Sequence, residues 1–154
     1  MKNYRQLVEE ILPGINELFP WDVSEKLDDK EALLIIDIRE PYEYDRLRIH
    51  NSINVPRGIL ESACDYGYEE TVPELAAARD QQVVLVCRSG NRSVLAAKVM
   101  QEMGYTKVYS MKTGMAGWND YELPMINNNS QAVSTDEGDE YFVSRVRPDQ
   151  MPPK

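Results

Sequence analysis

Two uninterrupted apolar runs do most to limit the folds open to this chain. Leu33, Leu34, Ile35 and Ile36 form one, and Val83, Val84, Leu85 and Val86 form the other. A strand with one face in water alternates apolar and polar residues. A continuous run suits a strand buried on both faces, as in a parallel sheet. Each run ends in a residue with chemistry of its own, Asp37 after the first and Cys87 after the second. Helical patterns follow. Residues 40–47 read as a helix with Pro41 in its first turn, residues 72–79 as another, and residues 93–103 as a third that Gly104 ends. Short strands are predicted at 53–55 and 108–111, and a last short helix at 116–121. Strands alternating with helices predict an α/β domain with a mainly parallel central sheet.

The chain has 154 residues, enough for one domain with a sizeable core plus extensions. A formal net charge of -9 makes it a poor partner for nucleic acid or an anionic membrane. Arg88 and Arg92 form a local positive island in that background, which favours a small anionic substrate. The first ten residues carry charges where a signal peptide needs its apolar core. No apolar stretch reaches the length of a bilayer span, so a cytoplasmic protein is expected. Two cysteines, Cys64 and Cys87, and one histidine, His50, give no disulfide framework and no zinc-ligand spacing.

Residues 1–20 read as a helical N-terminal arm. Leu7, Val8, Ile11, Leu12, Ile15, Leu18 and Phe19 recur at helical spacing, broken at Pro13 and Gly14, and the stripe is expected to pack on the main domain. Ser24 is read as the cap of a short helix. The main domain is expected over residues 21–125. Residues 126–154 read as an acidic linker and C-terminal tail, with a mobile stretch through Glu140. Tyr141, Phe142 and Val143 then form an apolar patch, expected to dock on its own domain or on a second subunit of a homodimer.

Cys87 opens the loop Arg88, Ser89, Gly90, Asn91, Arg92, and Ser93 begins the next helix. A cysteine between a buried strand and a helix N-terminus faces N–H groups that lack helical partners. Two arginines and the helix dipole make such a pocket positive, which favours a thiolate, the nucleophilic form. Gly90 lets the backbone curl so that successive N–H groups converge on the sulfur. Arg88 and Arg92 offer charged forks suited to oxyanions. Ser89, Asn91 and Ser93 add side-chain hydrogen-bonding groups, Ser93 also as a helix cap. The candidate site is therefore Cys87 as nucleophile with residues 88–93 binding an anion. His50 is far from Cys87 in sequence, which argues against a Cys–His pair. A buried structural cysteine is the plain alternative, and two unpaired guanidinium groups beside it argue against that.

Residues 87–93 resemble the active-site loop of the single-domain rhodaneses, the thiosulfate sulfurtransferase family. Asp37, Ile38, Arg39, Glu40, Pro41, Tyr42, Glu43 and Tyr44 resemble its upstream signature, and Ile53, Asn54, Val55 and Pro56 the segment after it. Gly114 to Trp118, with Leu123 and Pro124, resemble its downstream signature. The four matches fall in order over residues 21–125. The chain departs at Arg48, Ile49, His50, Asn51 and Ser52, where the family often has His-Ile-Pro-Gly-Ala, and at Thr113, which replaces the first of a usual glycine pair. Both departures fall in structural signatures and leave the nucleophile in place.

The resemblance implies a rhodanese-like three-layer α/β/α domain. It implies that Cys87 takes sulfane sulfur from thiosulfate or a related small anionic donor as a persulfide. A thiol, a protein cysteine or cyanide then accepts the sulfur. The loop amides would stabilise the terminal sulfur anion, and no metal or organic cofactor is needed.

Other readings compete. A rhodanese-like domain can serve as a non-catalytic interaction or sulfur-carrier module. Some Cys-dependent phosphatases share the fold, but four residues separate Cys87 from Arg92, one fewer than their loops use, which would crowd a phosphoryl group. Arsenate reduction meets the same difficulty and lacks a convincing resolving cysteine. Cys64, between Glu61 and Asp65, reads as a bystander. Asp37 and Arg39 read as structural, Trp118 as core, and Arg57 as a residue that could face the pocket.

Overall fold

A computed structural model describes all residues, 1–154. Five parallel strands form the central sheet: β1 (Asn16–Leu18), β2 (Leu33–Asp37), β3 (Ile53–Asn54), β4 (Gln82–Val86) and β5 (Lys107–Met111). Their spatial order is β1-β5-β4-β2-β3. The two apolar runs are neighbours, with Leu33 opposite Gln82 and Asp37 opposite Val86. Successive side chains on a strand point to opposite faces. Val83 and Leu85 therefore enter one apolar cluster with Ile36, and Val84 and Val86 enter a second with Ile35.

The helices are α1 (Tyr4–Ile11), α2 (Pro20–Asp28), α3 (Pro41–Arg46), α4 (Leu60–Ala63), α5 (Pro73–Ala76), α6 (Arg92–Glu102), α7 (Gly114–Asp120) and α8 (Thr135–Phe142). Val8 of α1, Leu60 of α4, Leu75 of α5, and Val94 and Met100 of α6 cover the first face. Val23 of α2 and Met115 and Trp118 of α7 cover the second, with Tyr141 and Phe142 of α8 packed against it. Both faces of the sheet are thus dry, which is why neither run alternates with polar residues. The architecture is the expected three-layer α/β/α. No helix is long and apolar enough to cross a membrane.

Two expectations are corrected. The helical pattern read through Phe19 stops at Gly14, where a 3-10 turn over Leu12–Gly14 ends. Asn16–Leu18 instead pairs with β5 as the edge strand of the sheet. Three residues are too few to display a period of two, so the helical spacing of the apolar residues carried past its true end. The stretch read as a mobile linker is likewise built into the fold. β6 (Met125–Ile126) and β7 (Ala132–Val133) form a hairpin, closed where Asn127 Oδ1 accepts from the N–H groups of Asn129 at 2.9 Å and Gln131 at 3.1 Å. Ser134 then caps α8 reciprocally with Glu137, and Asn119 Nδ2 of α7 donates to Asp139 of α8 at 2.8 Å. The apolar patch at 141–143 docks through Tyr141 and Phe142 on its own domain. A smaller difference lies at α2, which begins at Pro20 with the Asp22 carboxylate accepting from the Phe19 N–H, so Ser24 is inside the helix rather than at its cap.

A buried ion pair ties the carboxyl end of β2 to its connections. Arg39 Nε and Nη2 donate to Asp37 at 3.0 and 2.8 Å, and Nη2 also donates to the Leu47 carbonyl at 2.7 Å. Asn54 Nδ2 donates to the carbonyls of Asp37 and Arg39, both at 3.0 Å. Both charged side chains have no exposed surface. Removing one member of such a pair strands the other charge, so Arg39→Met should lower the unfolding free energy by about 3–5 kcal/mol in urea melts. A loss below about 1 kcal/mol would place the pair among weak surface bridges.

Candidate active site

Cys87 follows β4 directly and stands at the carboxyl edge of the sheet, where open α/β sheets place ligands. Its Sγ accepts from the Gly90 N–H at 3.2 Å and the Ser93 N–H at 3.4 Å. The Ser93 hydroxyl lies 3.4 Å from the same sulfur and 2.7 Å from the hydroxyl of Ser110 on β5. The backbone reaches this curl at Gly90, whose φ is +89°. A Cβ there would also sit 2.9 Å from the Thr113 nitrogen, so glycine is needed twice over.

The carbonyls of the same loop point the other way. Cys87 O accepts from the Met115 N–H at 2.8 Å, and Arg88 O from the Ala116 N–H at 2.9 Å. These donors belong to the first turn of α7 and have no helical acceptor of their own. Gly114 permits the approach: its φ is +58°, and a Cβ there would stand 2.5 Å from the Cys87 oxygen. The loop thus presents N–H groups to the sulfur while its carbonyls are satisfied behind it.

The arginines are not free. Arg92 makes a two-pronged bridge to Glu43 of α3, at 3.0 and 3.1 Å. Arg88 Nη2 donates to the Phe142 carbonyl at 3.0 Å, and its guanidinium lies over the Phe142 ring. The expectation of two unpaired guanidinium groups is corrected on both counts, because the partners come from distant parts of the chain. Ser89 and Asn91 are exposed at the rim, and Asn91 precedes α6 without a side-chain cap bond. Ser93 does not cap that helix either, since its hydroxyl is engaged with Ser110 and the sulfur.

Burial works against the charge on Glu43, yet hydrogen bonds from Arg92 and the Glu40 N–H, with the charges of Arg92 and Arg39, outweigh it and hold the carboxyl below its ordinary range. Tyr4 of α1 is also within electrostatic reach of Cys87. Burial pushes its hydroxyl up, the sulfur's charge adds to that, and Arg92 opposes both. Sequence reading places Glu43 only in the upstream signature and gives Tyr4 and Ser110 no role at the site, because each lies far from Cys87 and fits a local helix or strand pattern. Cys87 itself is only 1% exposed. A cleft of about 730 Å³ borders the loop at Arg88 and Ser89 and is lined also by Tyr42, Phe142 and Arg145, while Cys87 does not open into it.

The other candidates sit elsewhere. Cys64 has no exposed surface; burial pushes its thiol up, against a hydrogen bond from Tyr105 and the charge of Arg79 that pull it down. Arg57 bridges to Glu61 one turn along at 2.8 Å. Trp118 is core, with its indole N–H on the Pro124 carbonyl at 2.9 Å. No group of three or more His, Cys, Asp or Glu side chains could hold a metal ion.

Residues 20–121 match the rhodanese-like domain. The chain belongs to that family. A sulfurtransferase from Allochromatium vinosum is 29% identical over 112 residues, covering 73% of this chain and 95% of the relative. The Candida albicans adenylyltransferase and sulfurtransferase UBA4 is 31% identical over 101 residues, which is 66% of this chain but 23% of that protein. The chain therefore spans nearly the whole length of one relative and about a quarter of the other. Among solved structures, a Rhodopseudomonas palustris protein of unknown function, described as a possible tyrosine phosphatase, has a TM-score of 0.72. It is 29% identical, with 80% of this chain and 94% of that one covered.

Two outcomes test this rhodanese loop. Gly114→Ala forces both a left-handed alanine and a clash with the loop carbonyls, and should cost at least about 1–3 kcal/mol in denaturant unfolding. Glu43→Gln should alter the acid limb of stability. A carboxyl lowered on folding stabilises fully above its unfolded value, near 4.5, and loses that contribution as pH falls through its lower folded value. The variant should be less stable than wild type at neutral pH, and the gap should close on acidification; parallel urea-melt curves at every pH would contradict this.

Proposed function

We propose that this chain is a sulfurtransferase that carries sulfane sulfur on Cys87, taken from thiosulfate or a related donor. The single observation that carries this reading is the convergence of the Gly90 and Ser93 N–H groups on the sulfur itself, with the loop carbonyls turned to α7. Such a cradle stabilises negative charge on an atom attached at Cys87. The thiolate attacks the outer sulfur of thiosulfate, the S–S bond of the donor breaks, and sulfite leaves with the bonding pair. The acceptor thiolate then attacks the outer sulfur of the persulfide and regenerates the Cys87 thiolate. Cyanide serves as acceptor in an assay, and a small thiol or protein cysteine is the acceptor in the cell. Both half-reactions conserve charge and need no metal or organic cofactor.

Arg88, Ser89, Gly90, Asn91, Arg92 and Ser93 form the substrate-binding loop in this reading. Gly90 and Ser93 hold the sulfur, while Ser89 and Asn91 meet the donor at the rim. Arg88 faces the cleft and can exchange the Phe142 carbonyl for a sulfonate oxygen. Arg92 contributes its field, moderated by Glu43. Residues 21–125 are the transfer unit, and residues 1–20 and 126–154 are flanks that shape access to it. Two free cysteines suit a reducing compartment such as the cytoplasm.

The description of the Rhodopseudomonas neighbour raises phosphate-ester hydrolysis as a second reading. The short interval between Cys87 and Arg92, and the bridge that holds Arg92 on Glu43, both weigh against it. Intact-mass analysis after thiosulfate treatment decides between them. Wild type should gain one sulfur atom and Cys87→Ser none. No gain with thiosulfate or any other sulfane donor would leave the interaction-module reading, and turnover of an aryl phosphate would favour the phosphatase.

A further inference from the structure

We propose that Ser110 is a positioning residue for Cys87, acting through the Ser93 hydroxyl to stabilise the sulfur in its unprotonated forms. Ser110 lies on β5, and both serines have no exposed surface. The Oγ atoms are 2.7 Å apart and the Ser93 Oγ is 3.4 Å from Sγ, so the three groups form one chain. The link to Ser93 is the only side-chain hydrogen bond that Ser110 makes.

Counting protons along that chain sets its preference. With a thiol at Cys87, either the S–H donates to Ser93 Oγ, Ser93 donates to Ser110 Oγ and the Ser110 proton is left over, or both hydroxyls point towards the sulfur and the S–H proton is left over. With the sulfur unprotonated, Ser110 donates to Ser93 and Ser93 donates to Sγ. Every hydroxyl proton is then used, and the sulfur holds a side-chain donor beside the N–H groups of Gly90 and Ser93. A buried donor without an acceptor is costly, so the chain favours the state without the thiol proton. That proton passes to solvent; neither serine loses its own.

A persulfide makes the same demand, because its inner sulfur also carries no proton. Only hydrogens rotate in the change, so close-packed surroundings do not obstruct it. Use of this chain in turnover rests on the sulfur-transfer reading above, whereas its geometry does not. The charged and titratable groups facing Cys87 are Arg92 of α6, held by Glu43 of α3, and Tyr4 of α1; Arg88 is turned to the Phe142 carbonyl.

The test is a thiolate-absorbance titration, taken as the difference from Cys87→Ser so that Cys64 and the tyrosines cancel. It needs no reagent to enter the buried site. Ser93→Ala should move the midpoint to higher pH by about one unit, the size expected for one hydrogen bond to a charged sulfur. Ser110→Ala keeps the Ser93 donor but loses the bond that orients and polarises it, so the midpoint should move the same way by less, about a few tenths of a unit, and adding Ser110→Ala to Ser93→Ala should move it no further. An unchanged midpoint in Ser110→Ala, even with a lower melting temperature, shows packing alone and overturns the proposal. Additive shifts in the double variant also overturn it. Thiosulfate loading is scored separately: a normal titration without loading sinks sulfur transfer and leaves the hydroxyl chain standing, and the reverse result does the opposite.

Discussion

The site depends on what happens to two carbonyls. Every residue of a tight loop carries an N–H and a C=O, and aiming the N–H groups at one point leaves the C=O groups facing away and in need of donors. Here the N–H groups of Met115 and Ala116 meet the carbonyls of Cys87 and Arg88. Two helix N-termini therefore share the work. The first turn of α6 and the loop before it face the sulfur, and the first turn of α7 holds the loop from behind. Met115 and Trp118 anchor α7 in the second apolar cluster, so the clamp is as rigid as that core. Register of the sheet, packing of α7 and orientation of the loop amides form one dependency, with the sulfur at its end.

Electrostatics then decide which part of the loop acts on the sulfur. Arg92 is neutralised by Glu43, itself held by the Glu40 N–H at 2.9 Å, and Arg88 is drawn to the end of α8. The donors left for the sulfur are backbone amides and one serine hydroxyl. Dipoles fixed at one point favour charge on a single attached atom. Free guanidinium forks would instead favour a larger oxyanion. In an acidic chain this arrangement also limits how strongly stray anions collect at the loop.

The central strands were legible because burial on both faces writes itself as continuous apolar runs, as at Val83 and Val84. The curl at Gly90 was legible because only glycine takes that conformation cheaply. Gly114 is legible only as part of a signature, since its role depends on carbonyls twenty-six and twenty-seven residues away in the chain. Ser110 resembles any strand residue, and Glu43 any first-turn carboxylate; their partners are set by tertiary approach. The tail misled for a different reason. Its composition suggested disorder, yet Ser134 and Glu137 form a capping pair that local pattern could have revealed. Gly138 of α8 lies against Asn119 of α7, a tertiary contact that composition does not display.

Thr113 shows why the flanks belong to the site. It stands where the family resemblance expects glycine and still takes φ +66°, a conformation that costs a β-branched residue on the order of 1–3 kcal/mol. Neighbours must hold it there. The Lys112 N–H donates to the Leu18 carbonyl at 2.8 Å, so the edge strand β1 fixes the chain one residue earlier. Gly117 leaves room for the threonine side chain, which a Cβ at that position would strike. Leu18 lies outside the span matched to the family, but it restrains the turn that presents Gly114 to the Cys87 carbonyl. β1 thus acts on the loop through backbone alone: it sets Lys112, Lys112 sets Thr113, and Thr113 leads into the clamp.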